Sequence, residues 1–230
     1  MTESMKKEED RKIREYQANL VGKTEEEKVA IAYFYNILKK KGYWSKNQIL
    51  PMVTDAQFDE LVSKRADEIT NQIVLSALGL TTAPPWVMDP FKVCTPEFEE
   101  PEYVRTGADQ KARSSRITTT FIFYAATTMY VYSRTVSLTD RYHSEIAASM
   151  MYKDISSVAL TTETHETLYS YVEPGGFFRK AKEVYAWIPG TTNKIVFSVP
   201  GKTIAVNIGG AKSVLTADIE RLRGLIAKNK

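Results

Sequence analysis

Residues 117–133 run seventeen positions without a charged side chain, and few structures accept such a run. A helix that crosses a bilayer needs about 20 mostly apolar residues. Thr118, Thr119, Thr120, Thr127 and Thr128 interrupt the apolar character here. The remaining residues are mainly Ile, Phe, Tyr, Val and Met, the β-branched and aromatic types that suit a pleated, half-buried chain. The run therefore predicts a pair of strands, Phe121–Tyr124 and the start of Met129–Leu138, and no transmembrane segment.

The same vocabulary continues to residue 208. Further strands are predicted at Ile146–Tyr152, Leu168–Val172, Lys182–Ile188, Ile195–Val199 and Ile204–Ile208. Turns are predicted where proline fixes φ and glycine admits positive φ: Pro174-Gly175-Gly176, Pro189-Gly190 and Pro200-Gly201-Lys202. After Gly209 and Gly210, Leu215, Ile219, Leu222 and Ile226 fall on one helical stripe, which predicts a closing helix over Thr216–Lys228. About seven strands and one helix make up residues 116–230.

Residues 1–80 use a different code. Thr24 to Glu27, Ser45 to Gln48 and Thr54 to Gln57 have the capping-box form, in which a hydroxyl and a side chain three residues on satisfy each other's free backbone N–H groups. The first box predicts a helix through Val29–Leu38, closed by Lys39, Lys40, Lys41 and Gly42. The second precedes a short turn, because Pro51 follows. The third opens a helix carrying Phe58, Leu61, Val62, Ala66, Ile69, Ile73 and Leu75 at three- and four-residue steps. Residues 81–115 carry Pro84, Pro85, Pro90, Pro96 and Pro101, which exclude a continuous helix or central strand. With Trp86, Val87, Met88, Phe91 and Phe98 they read as a linker or irregular segment that wraps the rest.

Net charge is +3, with a surplus of five in residues 116–230, too thin for a nucleic-acid footprint. A recognition helix at Thr54–Glu68 would carry net −3 and be repelled by phosphates, so no nucleic acid is expected. Cys94 is the only cysteine, and no charged leader precedes an apolar stretch, so the expected setting is reducing and cytoplasmic. Gly201-Lys202-Thr203 imitates the end of a phosphate loop but lies between two strands, with Val196 where the motif needs glycine. His143 and His165 have no second ligand at metal spacing, and Glu97, Glu99 and Glu100 after Cys94 oppose the electropositive setting a reactive thiol needs. No acid, base and nucleophile set emerges, which predicts a protein that is not an enzyme and takes no cofactor or metal.

Short antiparallel strands followed by one amphipathic helix resemble the bacterial pleckstrin-homology-like (PH-like) domains. Met151-Tyr152-Lys153-Asp154-Ile155-Ser156-Ser157-Val158, with Ala125 to Tyr132 before it, follows their pattern of apolar strand, turn, acidic residue, Ile, two small residues and Val. The resemblance covers about residues 117–230 and implies an α+β fold: an antiparallel barrel of about seven strands capped by a C-terminal helix, behind an N-terminal helical unit. It transfers no catalytic residue. It implies a non-catalytic binding or assembly module acting through protein–protein contacts, with a protein partner or self-association. Seven strands in two curved sheets leave at least one edge to be paired or covered. The alternative is peripheral association with anionic membrane lipids, for which Arg179, Lys180 and Lys182 form the candidate anionic-ligand contact.

Overall fold

The computed structural model describes residues 11, 13–36, 38–40, 49–51, 53–99, 101–173, 182–209 and 212–229. The chain is mixed helix and strand, with antiparallel sheets; the closed seven-stranded barrel expected from the sequence is not found among the described residues, whose strands lie in separate sheets. Thr24 and Thr54 form the reciprocal boxes read from the sequence. Thr24 Oγ1 accepts the Glu27 N–H at 3.2 Å while Glu27 Oε2 accepts the Thr24 N–H at 2.7 Å, and Thr54 does the same with Gln57. They open α1 (Glu25–Phe34) and α2 (Asp55–Asp67).

Two helical expectations are corrected. The first helix stops at Phe34 because Asn36 turns the chain at φ 50°, a left-handed conformation that Asn tolerates better than most residues. Leu38–Lys40 is then a strand, β1, paired with β2 (Ile49–Pro51), so Lys39 and Lys40 do not close a helix. The long helix after Thr54 is two helices, since the Thr70 hydroxyl accepts the Ile73 N–H and starts α3 (Asn71–Ala77). Ser45 to Gln48 lie outside the described residues.

The proline-rich stretch holds more regular structure than an irregular wrap. It supplies β3 (Trp86–Glu97) and a small hairpin of β4 (Val104–Thr106) and β5 (Ala112–Ser114). β3 is the outer strand of a four-stranded sheet whose order is β3-β6-β7-β8, with β6 Arg116–Ala125, β7 Thr128–Ser137 and β8 His143–Met151. Only an outer strand has a backbone side that needs no partner, so Pro90 and Pro96 are tolerated there. The ladder to β6 slips between Trp86, Met88 and Phe91, around Pro90.

The second sheet has the order β11-β10-β9, with β9 Ser157–Glu173, β10 Lys182–Val199 and β11 Lys202–Asn207. The turn expected at Pro189-Gly190 is absent: β10 runs straight through, Pro189 opposite Glu166 and Gly190 opposite His165. β11 pairs only with Lys194–Val199. Over Lys182–Thr192 β10 therefore has β9 on one side alone among the described residues, and a proline without an N–H costs little on the other. Two expected strands are thus one, and β3 makes up the count of the two larger sheets. The predicted hairpin over 195–208 forms, with Ile195 opposite Val206, Phe197 opposite Ile204 and Gly201 at φ 80° in its turn.

One core joins the two sheets and the closing helix. Ile122, Tyr124, Met129, Val131 and Met150 of the first sheet meet Ile195, Phe197, Ile204 and Val206 of the second. α4 (Lys212–Lys228) adds Ile219, Leu222 and Ile226 at helical spacing. The opposite face of β6 and β7 carries Phe121, Phe123 and Tyr132, which pack with Ile69, Val74 and Trp86. Nearby, Tyr33 of α1 and Phe58 of α2 stack at 4.3 Å and rest against Ile117 and Leu138. β6 is therefore covered on both faces and buried from Ile117 to Ala125. That double burial is the physical reason the sequence carries no charge there.

Candidate functional site

The four-stranded sheet ends in two outer strands of opposite character, and the second, β8, is the candidate site. Its sequence is His-Ser-Glu-Ile-Ala-Ala-Ser-Met-Met, with no proline or lysine. Of its nine residues only Met150 is buried and Ala148 half-buried; Ile146 is 45% exposed and Met151 52%. Its ladder with β7 has no register shift.

The direction of each β8 peptide group follows from the ladder. Ser137 N–H donates to the Tyr142 C=O at 2.9 Å at one end, and Tyr152 N–H to the Thr127 C=O at 3.0 Å at the other. In an antiparallel pair, opposed residues alternate between bonded and non-bonded, and both ends give the same phase. Ser144, Ile146, Ala148 and Met150 therefore bond to β7. His143, Glu145, Ala147, Ser149 and Met151 point their N–H and C=O groups away from it, and none of these finds a partner strand among the described residues.

The two units are locked by a polar seam that sequence reading missed. Arg113 of β5, its side chain only 6% exposed, donates to both oxygens of Asp59 on α2 at 2.7 Å and to both of Asp109 at 2.8 and 3.0 Å. These carboxylates push the Arg113 guanidinium above its ordinary value, and Arg113 holds Asp109 well below the usual carboxylate range. Asp55 accepts the Tyr33 hydroxyl and the Ala108 N–H, each at 2.8 Å. Burial, reinforced by Asp55, pushes the Tyr33 phenol up. Gly107 lies so close that a Cβ would strike Arg113 Nη1 and the Asp55 carboxylate. The seam is engaged with itself and ties the first two helices to the β4–β5 hairpin.

Of the residues singled out in the sequence, Arg179 and Lys180 lie outside the described residues. Lys182 opens β10 opposite Glu173, where the backbone register alone is described. Cys94 is on β3, and burial pushes its thiol up, away from the thiolate that nucleophilic chemistry needs. His143 begins β8 and His165 sits mid-way along β9, on different sheets. Gly201 lies in the hairpin turn and Lys202 opens β11 opposite Val199. Among the described residues no group of three or more His, Cys, Asp or Glu is placed to hold a metal ion, and no helix is long and apolar enough to cross a membrane. Compared with protein-family models, with curated proteins and with solved structures, the chain finds no match.

Proposed function

We propose that residues 86–229 form a PH-like domain that serves as a non-catalytic assembly module, and that its partner is a second copy of the chain added at β8. The strand order supports the PH-like reading: four antiparallel strands, then three, then a helix whose Ile219, Leu222 and Ile226 enter the core shared by both sheets. The observation that carries the function is the row of outward peptide groups from His143 to Met151 on an exposed strand with no protecting proline, lysine or bulge. Such a row is satisfied by water or by an added strand.

Self-pairing suits this row. A two-fold axis through Ala147 sets Glu145 opposite Ser149 of the other copy and His143 opposite Met151, each an outward residue facing an outward residue. Ile146 then meets Ala148, and no like charges oppose one another. Ser144, Ala147, Ala148 and Ser149 are small enough for two sheets to join edge to edge.

Sedimentation velocity over a wide concentration range tests this. The unmodified protein passes from monomer to dimer, and Ala147→Pro, which removes one outward N–H while sparing the β7 ladder, stays monomeric. A protein that is monomeric throughout, or a dimer indifferent to Ala147→Pro, contradicts the reading.

A further inference from the structure

β8 offers more than free peptide groups, because one of its charged side chains is held in place. Glu145 is exposed, and its Oε2 accepts the Tyr132 hydroxyl at 3.1 Å. Tyr132 lies on the neighbouring strand β7, is fully buried, and packs with Phe121, Phe123, Ile69 and Val74. Burial first, and then the Glu145 carboxylate, pushes its phenol up, so the hydroxyl keeps its proton and goes on donating. Arg134 stands opposite Glu145 in the ladder, an opposite-charge pair of the kind that steadies a sheet. The carboxylate is thus positioned at the open edge by groups of its own chain, and its two oxygens have lone pairs for a further donor.

Side chains directly opposite in an antiparallel pair stand on one face, with Cβ atoms about 4.5–5.5 Å apart. What an added strand sets opposite Glu145 therefore decides whether the carboxylate is satisfied. For a second copy, the register through Glu145 itself brings two carboxylates together, and like charges directly opposite destabilise. Registers through Ile146 or Ala148 bring it Ala147 or Met151, which have no side-chain donor. A register through Ser144 brings it His143 but overlaps only residues 143–145 of each strand. The register through Ala147 pairs β8 along its whole length and brings Ser149, whose hydroxyl donates.

We infer that Glu145, positioned by Tyr132, is the specificity-determining residue of the β8 edge: it selects a strand that presents a hydrogen-bond donor opposite it, Ser149 of a second copy, and rejects one that presents a carboxylate. The role rests on the self-pairing of β8 and adds the group that sets its register. Selection works by exclusion as much as by attraction. Slipped copies and acidic strands leave Glu145 unsatisfied or repelled, and in a two-fold contact that cost is met twice.

Sedimentation velocity, with denaturant unfolding of each variant, tests it. Ser149→Lys sets a cation opposite Glu145 of the other copy and tightens the dimer severalfold, the reverse of what a lysine does elsewhere on an open edge. Adding Glu145→Gln to Ser149→Lys removes that gain. Ser149→Glu weakens the dimer by about tenfold or more, because two pairs of like charges form. Tyr132→Phe, whose side chain lies under the sheet and away from the added strand, weakens the dimer severalfold; a merely structural role would lower unfolding stability and leave dimer affinity unchanged. Should Tyr132→Phe fail to fold, the exposed Ser149 variants decide the matter. A protein that is monomeric at every concentration overturns the β8 reading and this inference with it. A dimer that Ser149→Lys fails to tighten, or tightens equally with Glu145→Gln present, overturns the role of Glu145 and leaves strand addition standing.

Discussion

β3 and β8 are the two edges of one sheet, equally free in the sheet order, yet only one is defended. β3 carries Pro90 and Pro96, slips its register near Pro90, and places Lys92 where it pairs with Asp67 at 3.1 Å. β5 also lies against it. These are the devices by which proteins blunt an edge. β8 has none of them and leaves Ile146 and Met151 in the open. The contrast teaches that this chain spends its proline-rich segment on one edge and leaves the other free to be used.

The largest test of that contrast acts on what the two edges share. Leu222, 1% exposed, fills the core beneath both sheets, and Leu222→Ala should cost about 2–5 kcal/mol in denaturant unfolding through lost burial and a cavity. Protection of β3 and β8 amides should fall together. A cost below about 0.5 kcal/mol, the scale of an ordinary surface change, would contradict the packing described for α4.

Ala147→Pro separates the edges. Dimer affinity should drop by about tenfold or more, while unfolding stability shifts far less than in Leu222→Ala, because the lost N–H faces away from β7. Equal damage to both quantities would mean that Ala147 bonds inward and that the phase assigned to β8 is wrong.

Alkaline titration sharpens the comparison at the end of β8. Tyr152 follows the strand, donates to the Ala125 C=O at 3.0 Å, and is pushed by burial up to about 12. A folded value above the unfolded one, about 10, means stability that is complete below pH 10 or so and lost as pH rises through about 12. Tyr152→Phe should flatten that limb in pH-dependent unfolding, at the cost of one hydrogen bond, about 0.5–1.5 kcal/mol. An unchanged alkaline limb would show that Tyr152 does not contribute to it.

Smaller effects probe side chains and defences. Ile146→Lys sets a charge on the open edge and should weaken the dimer severalfold with little change in stability, as read by sedimentation. Pro96→Thr restores an N–H to β3 and should leave the dimer unchanged. New, larger assemblies in that variant would show Pro96 to be the main guard of its edge.

What the sequence disclosed was what short-range chemistry decides. Thr24 and Thr54 needed only a residue three positions on, and the α4 stripe of Ile219, Leu222 and Ile226 only its own periodicity. β3 was hidden because prolines signal breaks unless the strand is known to be an edge, which depends on where β6 lies. The unbroken course of β10 through Pro189 was hidden for the same reason. Arg113 pairs with Asp59, which no local pattern reports. That some edge would stay open was legible from the strand count, but which edge was fixed only by β3 taking its place beside β6.

The central claim is tested most directly by residue-resolved amide hydrogen exchange along β8 in dilute and concentrated protein. The inward amides of Ser144, Ile146 and Ala148 should be protected in both, while the outward amides of Glu145, Ala147 and Ser149 should exchange freely when dilute and become protected when concentrated, with β3 unchanged. Outward amides that exchange at the same rate at both concentrations would contradict it.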